Sequence, residues 1–301
     1  MLLNILLSIV LIPNLLINQV GLDSFLNLSS ANNKIEGPTR VYTDILDIKI
    51  SAQSAFAVDA KSGEILYQKN SSEVRPIASI TKLMTALIFL DYNPGWQKEF
   101  STISSDRRNG NIVHLNPGEI LTIQNLFNTA LIASDNDAII ALTRATGLTE
   151  EQFVEKMNAK AEKLGLLNTK FVEPTGLEIG NQANTFDVAN LLEVALQKEE
   201  IKRVTGIDYY EFEVLNKERT KTRLVKITNT DRLLNSYLNV IGGKTGSLEE
   251  AGYCLAVKIK GEENQEVIIV VLGSQSNYDR FQDIKAIADF IFTNFNWQNN
   301  I

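Results

Sequence analysis

An α+β fold, built as a mainly antiparallel sheet flanked by helices and carrying a helical subdomain, follows from three features of the 301-residue chain. Strand-like alternation marks both ends of the folded region, and a long helical stretch separates them. No regular β-α-β alternation runs through the sequence, which argues against a doubly wound parallel sheet. Hydrophobic residues make up 44% of the chain, enough for one substantial core or two closely packed lobes.

Leu2 through Val20 is nearly all Leu, Ile, Val and uncharged Asn, interrupted by Pro13, and nothing charged precedes Asp23. Residues 1–22 therefore read as an export signal or a membrane anchor, without a basic start or an Ala-x-Ala cleavage site. Residues 23–47, with Ser29-Ser30-Ala31-Asn32-Asn33 and Pro38, read as a linker or extended approach, and 48–297 as the folded domain. Alternation in Ala55-Phe56-Ala57-Val58, the turn at Lys61-Ser62-Gly63-Glu64 and Ile65-Leu66-Tyr67 predict a hairpin.

Apolar spacing then predicts helices around Leu83–Leu90, Leu126–Ile132, Phe153–Leu164 and Thr185–Leu196. Paired strands are expected at Tyr209–Leu215 and Thr222–Thr228, around a turn at Asn216–Arg219. Two more, Tyr253–Ile259 and Glu266–Leu272, flank the polar turn Lys260–Gln265. A helix from Asp283 to Phe295 closes the chain.

Charge and cysteine content exclude several function classes. Lys and Arg total 29 against 36 Asp and Glu, a net charge of −7, and no basic block offers a footprint for nucleic acid. The single cysteine, Cys254, rules out an intrachain disulfide and a multi-cysteine metal site, and its apolar surroundings read as a small buried hydrophobe.

Three short segments carry chemistry. Ser79-Ile80-Thr81-Lys82 stands where a polar stretch containing Pro76 gives way to an apolar helix, so Ser79 is expected to open that helix. Residues three apart share a helix face, which brings the Lys82 amine beside the Ser79 hydroxyl. A serine needs a neighbouring base to become a nucleophile, and burial or a second cation would favour the neutral amine that can serve. Taken alone, the tetrapeptide fits a helix cap with an exposed lysine equally well, and chance yields about one such pattern in a chain this long.

Ser134-Asp135-Asn136 lies between two apolar helical stretches, at a corner that could project a hydroxyl and an amide into a cleft. Helix capping by Ser134 or Asp135 is the ordinary alternative. In Gly242-Gly243-Lys244-Thr245-Gly246-Ser247 the glycines leave room for an extended peptide to join a sheet edge, with Lys244 and Thr245 available to a carboxylate. A glycine-rich turn with a solvated lysine fits the same residues, whereas the spacing of a phosphate-binding loop is missing.

In this order the three segments resemble the Ser-x-x-Lys, Ser-Asp-Asn and Lys-Thr-Gly motifs of penicillin-binding proteins and class A β-lactamases. Leu115-Asn116-Pro117-Gly118-Glu119, Phe171–Leu177 and Ala251-Gly252-Tyr253 extend the likeness over about Ala52 to Phe295. The whole is similar to serine-type D-alanyl-D-alanine carboxypeptidases, the low-molecular-mass penicillin-binding proteins. That resemblance implies a β-lactamase-like fold and an acyl-enzyme on Ser79 with Lys82 as base. It implies that Ser134 and Asn136 relay the proton and hold the peptide, and that Lys244, Thr245, Gly246 and Ser247 bind substrate. Lys244 and Thr245 would take the terminal carboxylate, and the N–H groups of Ser79 and Ser247 would form the oxyanion hole. No metal or organic cofactor is implied. The implied partners are peptidoglycan stem peptides and, as covalent inhibitors, β-lactam antibiotics, met outside the cytoplasm by an exported or membrane-anchored enzyme.

The chain ends at Ile301 directly after the closing helix, which resembles the shorter family members, some of which cut D-amino-acid crosslinks as endopeptidases. Carboxypeptidase and endopeptidase therefore both stay open. For a β-lactamase, Glu173 is followed by Pro174-Thr175-Gly176-Leu177 and not by the Glu-x-x-Leu-Asn arrangement of class A enzymes, and it reads as the start of a turn. A catalytically silent wall-binding protein of the same fold is a further alternative, opposed by the intact Ser79, Lys82 and Lys244. His114, the only histidine, lies in a loop with no nucleophile elbow nearby and does not read as a triad base.

Overall fold

The computed structural model describes residues 36–41, 48–110 and 112–297. The expected export segment lies outside them, as does most of the linker, but Thr39–Arg40 of that linker pairs antiparallel with Phe295–Asn296. The main sheet has five antiparallel strands in the order Asn239–Leu248, Gly252–Lys260, Glu266–Ser274, Ser54–Asp59 and Ile65–Lys69. The expected hairpin and C-terminal strand pair are therefore neighbours in one sheet.

The middle strand shows why the sheet is covered on both sides. Its Val267–Leu272 run is apolar without a break, as a strand buried on two faces requires. Val267, Ile269 and Val271 pack with Ile284, Ile287 and Ile291 of the closing helix. Ile268, Val270 and Leu272 face the opposite core, with Val188, Leu191 and Leu192 of Thr185–Leu196. The closing helix runs Asp279–Asn294 and so begins four residues earlier than the periodicity suggested. The cause is a local cap: Ser276 Oγ accepts from the Asp279 N–H at 3.0 Å and donates to its carboxylate at 2.7 Å.

The helical subdomain is organised around Lys82–Asp91, whose first eight residues are all buried. Packed with it are Ile123–Ile132, Asn136–Ala145 and Glu150–Lys163. A second, four-stranded antiparallel sheet joins Glu99–Ser101, Ile120–Thr122, Tyr209–Leu215 and Thr222–Thr228.

One local expectation needs correction. Ser79 does not open the α-helix: it sits in a 3₁₀ turn, Ala78–Thr81, and the α-helix starts at Lys82. Gly242–Ser247 lies at a sheet edge, as expected, in the middle of a ten-residue strand, Asn239–Leu248, and not in a glycine-rich turn. Three glycines masked its β character, because they supply no branched side chain for the pattern to register.

Candidate active site

Ser79 is held by a turn that two other segments press against. Ala78 takes a left-handed backbone (φ 48°). A methyl group on Gly176 would lie 2.1 Å from the Ala78 carbonyl oxygen, and Gly176 itself has φ +89°, so no other residue fits there. On the other side, a Cβ on Gly246 would meet the Ile77 oxygen at 2.7 Å and the Ser79 nitrogen at 3.1 Å. The room that Gly246 leaves is thus filled by the protein's own Ala78–Thr81 turn, not by an incoming peptide. A free edge is still available, because Asn239–Leu248 has a strand on one side only.

Lys82 is completely buried, and its Nζ lies 2.7 Å from each of three oxygens: Ser79 Oγ, Asn136 Oδ1 and the Thr175 carbonyl. The last two can only accept, so they take two N–H bonds from the amine. A neutral amine has two N–H bonds, which leaves its lone pair directed at the Ser79 hydroxyl. Burial brings the Lys82 pKa down to about 7, against the opposing pull of the Glu173 and Asp135 charges. The neutral form is therefore within reach near physiological pH.

The Thr175 carbonyl owes its position to Glu173. That carboxylate accepts from the N–H groups of Thr175 (2.6 Å), Gly176 (2.5 Å) and Leu177 (2.9 Å), and from Asn181 Nδ2 at 2.6 Å. Glu173 nucleates the loop, in keeping with its place at the start of a turn, and these bonds occupy the oxygens a deacylating base would need.

Ser134-Asp135-Asn136 joins helix Ile123–Ile132 to helix Asn136–Ala145, as expected. Ser134 has a left-handed backbone (φ 57°), unusual without glycine. Asp135 caps the second helix, its Oδ1 accepting from Ala138 N–H at 2.8 Å. Capping and the projection of Asn136 onto Lys82 thus occur together, in adjacent residues. Ser134 is half-buried, and among the described residues its hydroxyl makes no hydrogen bond.

On the edge strand, Lys244 and Thr245 are buried while Ser247 is exposed. Lys244 Nζ donates to the Thr245 carbonyl at 3.1 Å, and Thr245 Oγ1 lies 2.5 Å from Thr230 Oγ1. Burial, with the Lys82 and Arg280 charges, pushes the Lys244 pKa well down, and Asp231 opposes this. Two buried amines that repel one another do not both hold protons comfortably, and here the repulsion falls on Lys244, which an arriving anion would relieve.

Sequence reasoning missed the groups that support these residues. Glu173 reads in the sequence as the start of a turn, with no link to Lys82; Thr175 stands out only within a family-like segment, and Asp231 and Thr230 carry no signal. Arg280 donates to the carbonyls of Gly246 (2.9 Å) and Cys254 (3.4 Å) from the closing helix, and no local motif marks it. Cys254 is buried, and desolvation raises its thiol to about 11, so it is a packing residue.

A family model described as D-alanyl-D-alanine carboxypeptidase matches residues 40–276. A D-alanyl-D-alanine carboxypeptidase of Bacillus subtilis, DacF, is 35% identical over 250 residues, covering 81% of this chain and 63% of the relative. The chain thus spans less than two thirds of that relative's length. A D-alanyl-D-alanine endopeptidase of Haemophilus influenzae is 31% identical, with 78% of this chain and 80% of the relative covered. Among solved structures, the Streptomyces K15 DD-transpeptidase has a TM-score of 0.76 at 28% identity, covering 82% of this chain and 98% of its own. Penicillin-binding protein D2 of Listeria monocytogenes, solved in a cefotaxime-bound form, has a TM-score of 0.70 at 27% identity, covering 82% of this chain and 99% of its own.

Proposed function

The chain belongs to the D-alanyl-D-alanine carboxypeptidase family, and from that premise we propose that it is a serine DD-peptidase of bacterial peptidoglycan. It cleaves the terminal D-alanyl-D-alanine bond of stem peptides through an acyl-enzyme on Ser79. The observation that carries this reading is the setting of Lys82 Nζ, 2.7 Å from two obligate acceptors and from Ser79 Oγ, so that in the neutral amine the lone pair is left for the Ser79 hydroxyl.

In the first half-reaction Lys82 takes the hydroxyl proton as Ser79 Oγ bonds to the carbonyl carbon of the penultimate D-alanine. The C–N bond then breaks, and the departing amine of the terminal D-alanine receives a proton, with Ser134 as the relay. In the second, water adds to the acyl carbon, the Ser79 ester opens and the proton returns to Ser79. Backbone N–H groups of Ser79 and Ser247 stabilise the oxyanion. Lys244 and Thr245 hold the terminal carboxylate, Gly246 keeps the edge strand close to the nucleophile turn, and Asn136 holds the peptide carbonyl.

The same acylation accounts for capture by β-lactams, for which the cefotaxime complex of the Listeria relative is the precedent. The reaction belongs outside the cytoplasm, where residues 1–22 would deliver or anchor the domain of residues 48–297. Among the described residues no helix is long and apolar enough to cross a membrane.

A second reading, endopeptidase action on D-alanyl crosslinks, is favoured by relatives of that name at 30–31% identity. Digestion of purified muropeptides followed by mass spectrometry separates the two. Release of free D-alanine is the expected outcome. Conversion of crosslinked dimers to monomers without it would replace carboxypeptidase by endopeptidase. Rapid penicillin turnover with neither product would point to a β-lactamase, and no reaction with any of these to a binding protein.

A further inference from the structure

His114 is the chain's only histidine, and the acyl-transfer chemistry above makes no use of it. Its Nδ1 lies 2.8 Å from Asp135 Oδ2, the middle residue of the Ser134-Asp135-Asn136 corner. Asp135 is buried, and its other oxygen is occupied by the Ala138 N–H that caps the following helix. With both oxygens held, the carboxylate cannot swing. The residues on either side of it are Ser134, in a left-handed conformation, and Asn136, whose Oδ1 meets Lys82 Nζ at 2.7 Å.

The backbone of His114 is anchored from a different element. Its carbonyl accepts from Arg223 Nη2 at 2.8 Å, and Arg223 grips Glu119 through two bonds of 2.7 Å. His114 is thereby tied through its carbonyl to the second sheet and through its ring to the corner that holds the Lys82 amine. The group beside the Ser79 hydroxyl is Lys82 Nζ at 2.7 Å, so the base role is filled without the ring.

Resting on the Ser79–Lys82 acyl transfer proposed above, we propose that His114 is a positioning residue: its Nδ1–H donates to Asp135 and fixes the corner that presents Ser134 and Asn136 to the reaction. Without that donor, Asp135 Oδ2 is left buried and unpaired, next to a Ser134 backbone held in a left-handed conformation. The loss falls on the rate of acylation and not on affinity for the peptide carboxylate, which is the part of Lys244 and Thr245.

The test uses two variants of the full chain, without a histidine tag, and one spectrum of the parent. His114→Ala removes the donor. His114→Asn restores an N–H at the same distance from Cβ as Nδ1. Maximal acylation by a fluorescent penicillin is expected to fall roughly tenfold in His114→Ala and to recover to within about threefold in His114→Asn, with thermal unfolding temperatures recorded for both. In the parent, a long-range proton–nitrogen spectrum reads the single histidine directly, and Nδ1 is expected to carry a proton. A ring protonated on Nε2 alone would overturn the proposal even if neither variant folds. So would full-speed acylation by His114→Ala, or an Asn variant as slow as the Ala one. Complete loss of acylation in a folded His114→Ala would make the ring a reacting group and also overturn it. Failure of the parent itself to acylate would instead reject the Ser79 reading.

Discussion

Titration of Lys82 should be visible in the rate of acylation. The amine's pKa is lowered from 10.5 to about 7 by burial, a displacement worth about 5 kcal/mol between its charged and neutral forms. Only the neutral form can take the Ser79 proton, so the acylation rate at saturating penicillin should rise with pH through about 7 and level off above it. At about pH 5.5 the neutral fraction, and with it the rate, should be roughly thirty-fold below the plateau, with a tenfold change per pH unit on the acid side. Replacing Lys82 with Arg should abolish the limb together with the activity, by at least ~10³-fold, because a guanidinium does not lose its proton in this range. Stopped-flow labelling from about pH 5.5 to pH 9, with circular dichroism at each end to verify folding, measures both. A flat profile, or a midpoint that stays near the ordinary lysine value, would show that Lys82 acts as a fixed charge and would refute the base assignment.

Gly176→Ala should cost at least about 3 kcal/mol locally, because the added methyl would lie 2.1 Å from the Ala78 oxygen at a left-handed position. Labelling of Ser79 should fall by two orders of magnitude or more, and normal labelling would show that the turn is free to move. Lys244→Met should weaken peptides with a free C-terminal carboxylate by roughly ten- to a hundred-fold in KM and leave C-terminally amidated peptides little changed. Equal losses for both substrates would remove the carboxylate role. Cys254, buried with its thiol raised to about 11, should resist thiol reagents in the native protein and react once the protein is unfolded in guanidinium. Rapid native labelling would contradict its packing role.

What the sequence disclosed and what it concealed divide along physical lines. Strong periodicity marked the Tyr209–Leu215 and Thr222–Thr228 hairpin and the Thr185–Leu196 helix, all found at those bounds. The edge strand Asn239–Leu248 stayed hidden because its glycines, which allow it to press against the Ser79 turn, erase the alternation that announces a strand. The early start of the closing helix was legible in Ser276-Asn277-Tyr278-Asp279, a cap signal that periodicity alone passes over.

The site shows the same division. Ser79, Lys82, Asn136 and Lys244 are marked by motifs of three or four residues, and the structure brings Ser79 and Asn136 onto the Lys82 amine. The Thr175 carbonyl on Lys82 is a backbone group that no side-chain pattern can announce. Glu173, which bends the chain to deliver it, is an acidic residue among 36. His114 and Asp135 are 21 positions apart, so their bond is a property of the fold and not of any local pattern.

The central claim is that Ser79 is the acylated nucleophile, and peptide mapping by mass spectrometry after reaction with a penicillin tests it most directly. A single penicilloyl adduct is expected on the peptide containing Ser79, and it should be absent from a folded Ser79→Ala variant. An adduct on any other residue, or labelling that survives Ser79→Ala, would contradict it.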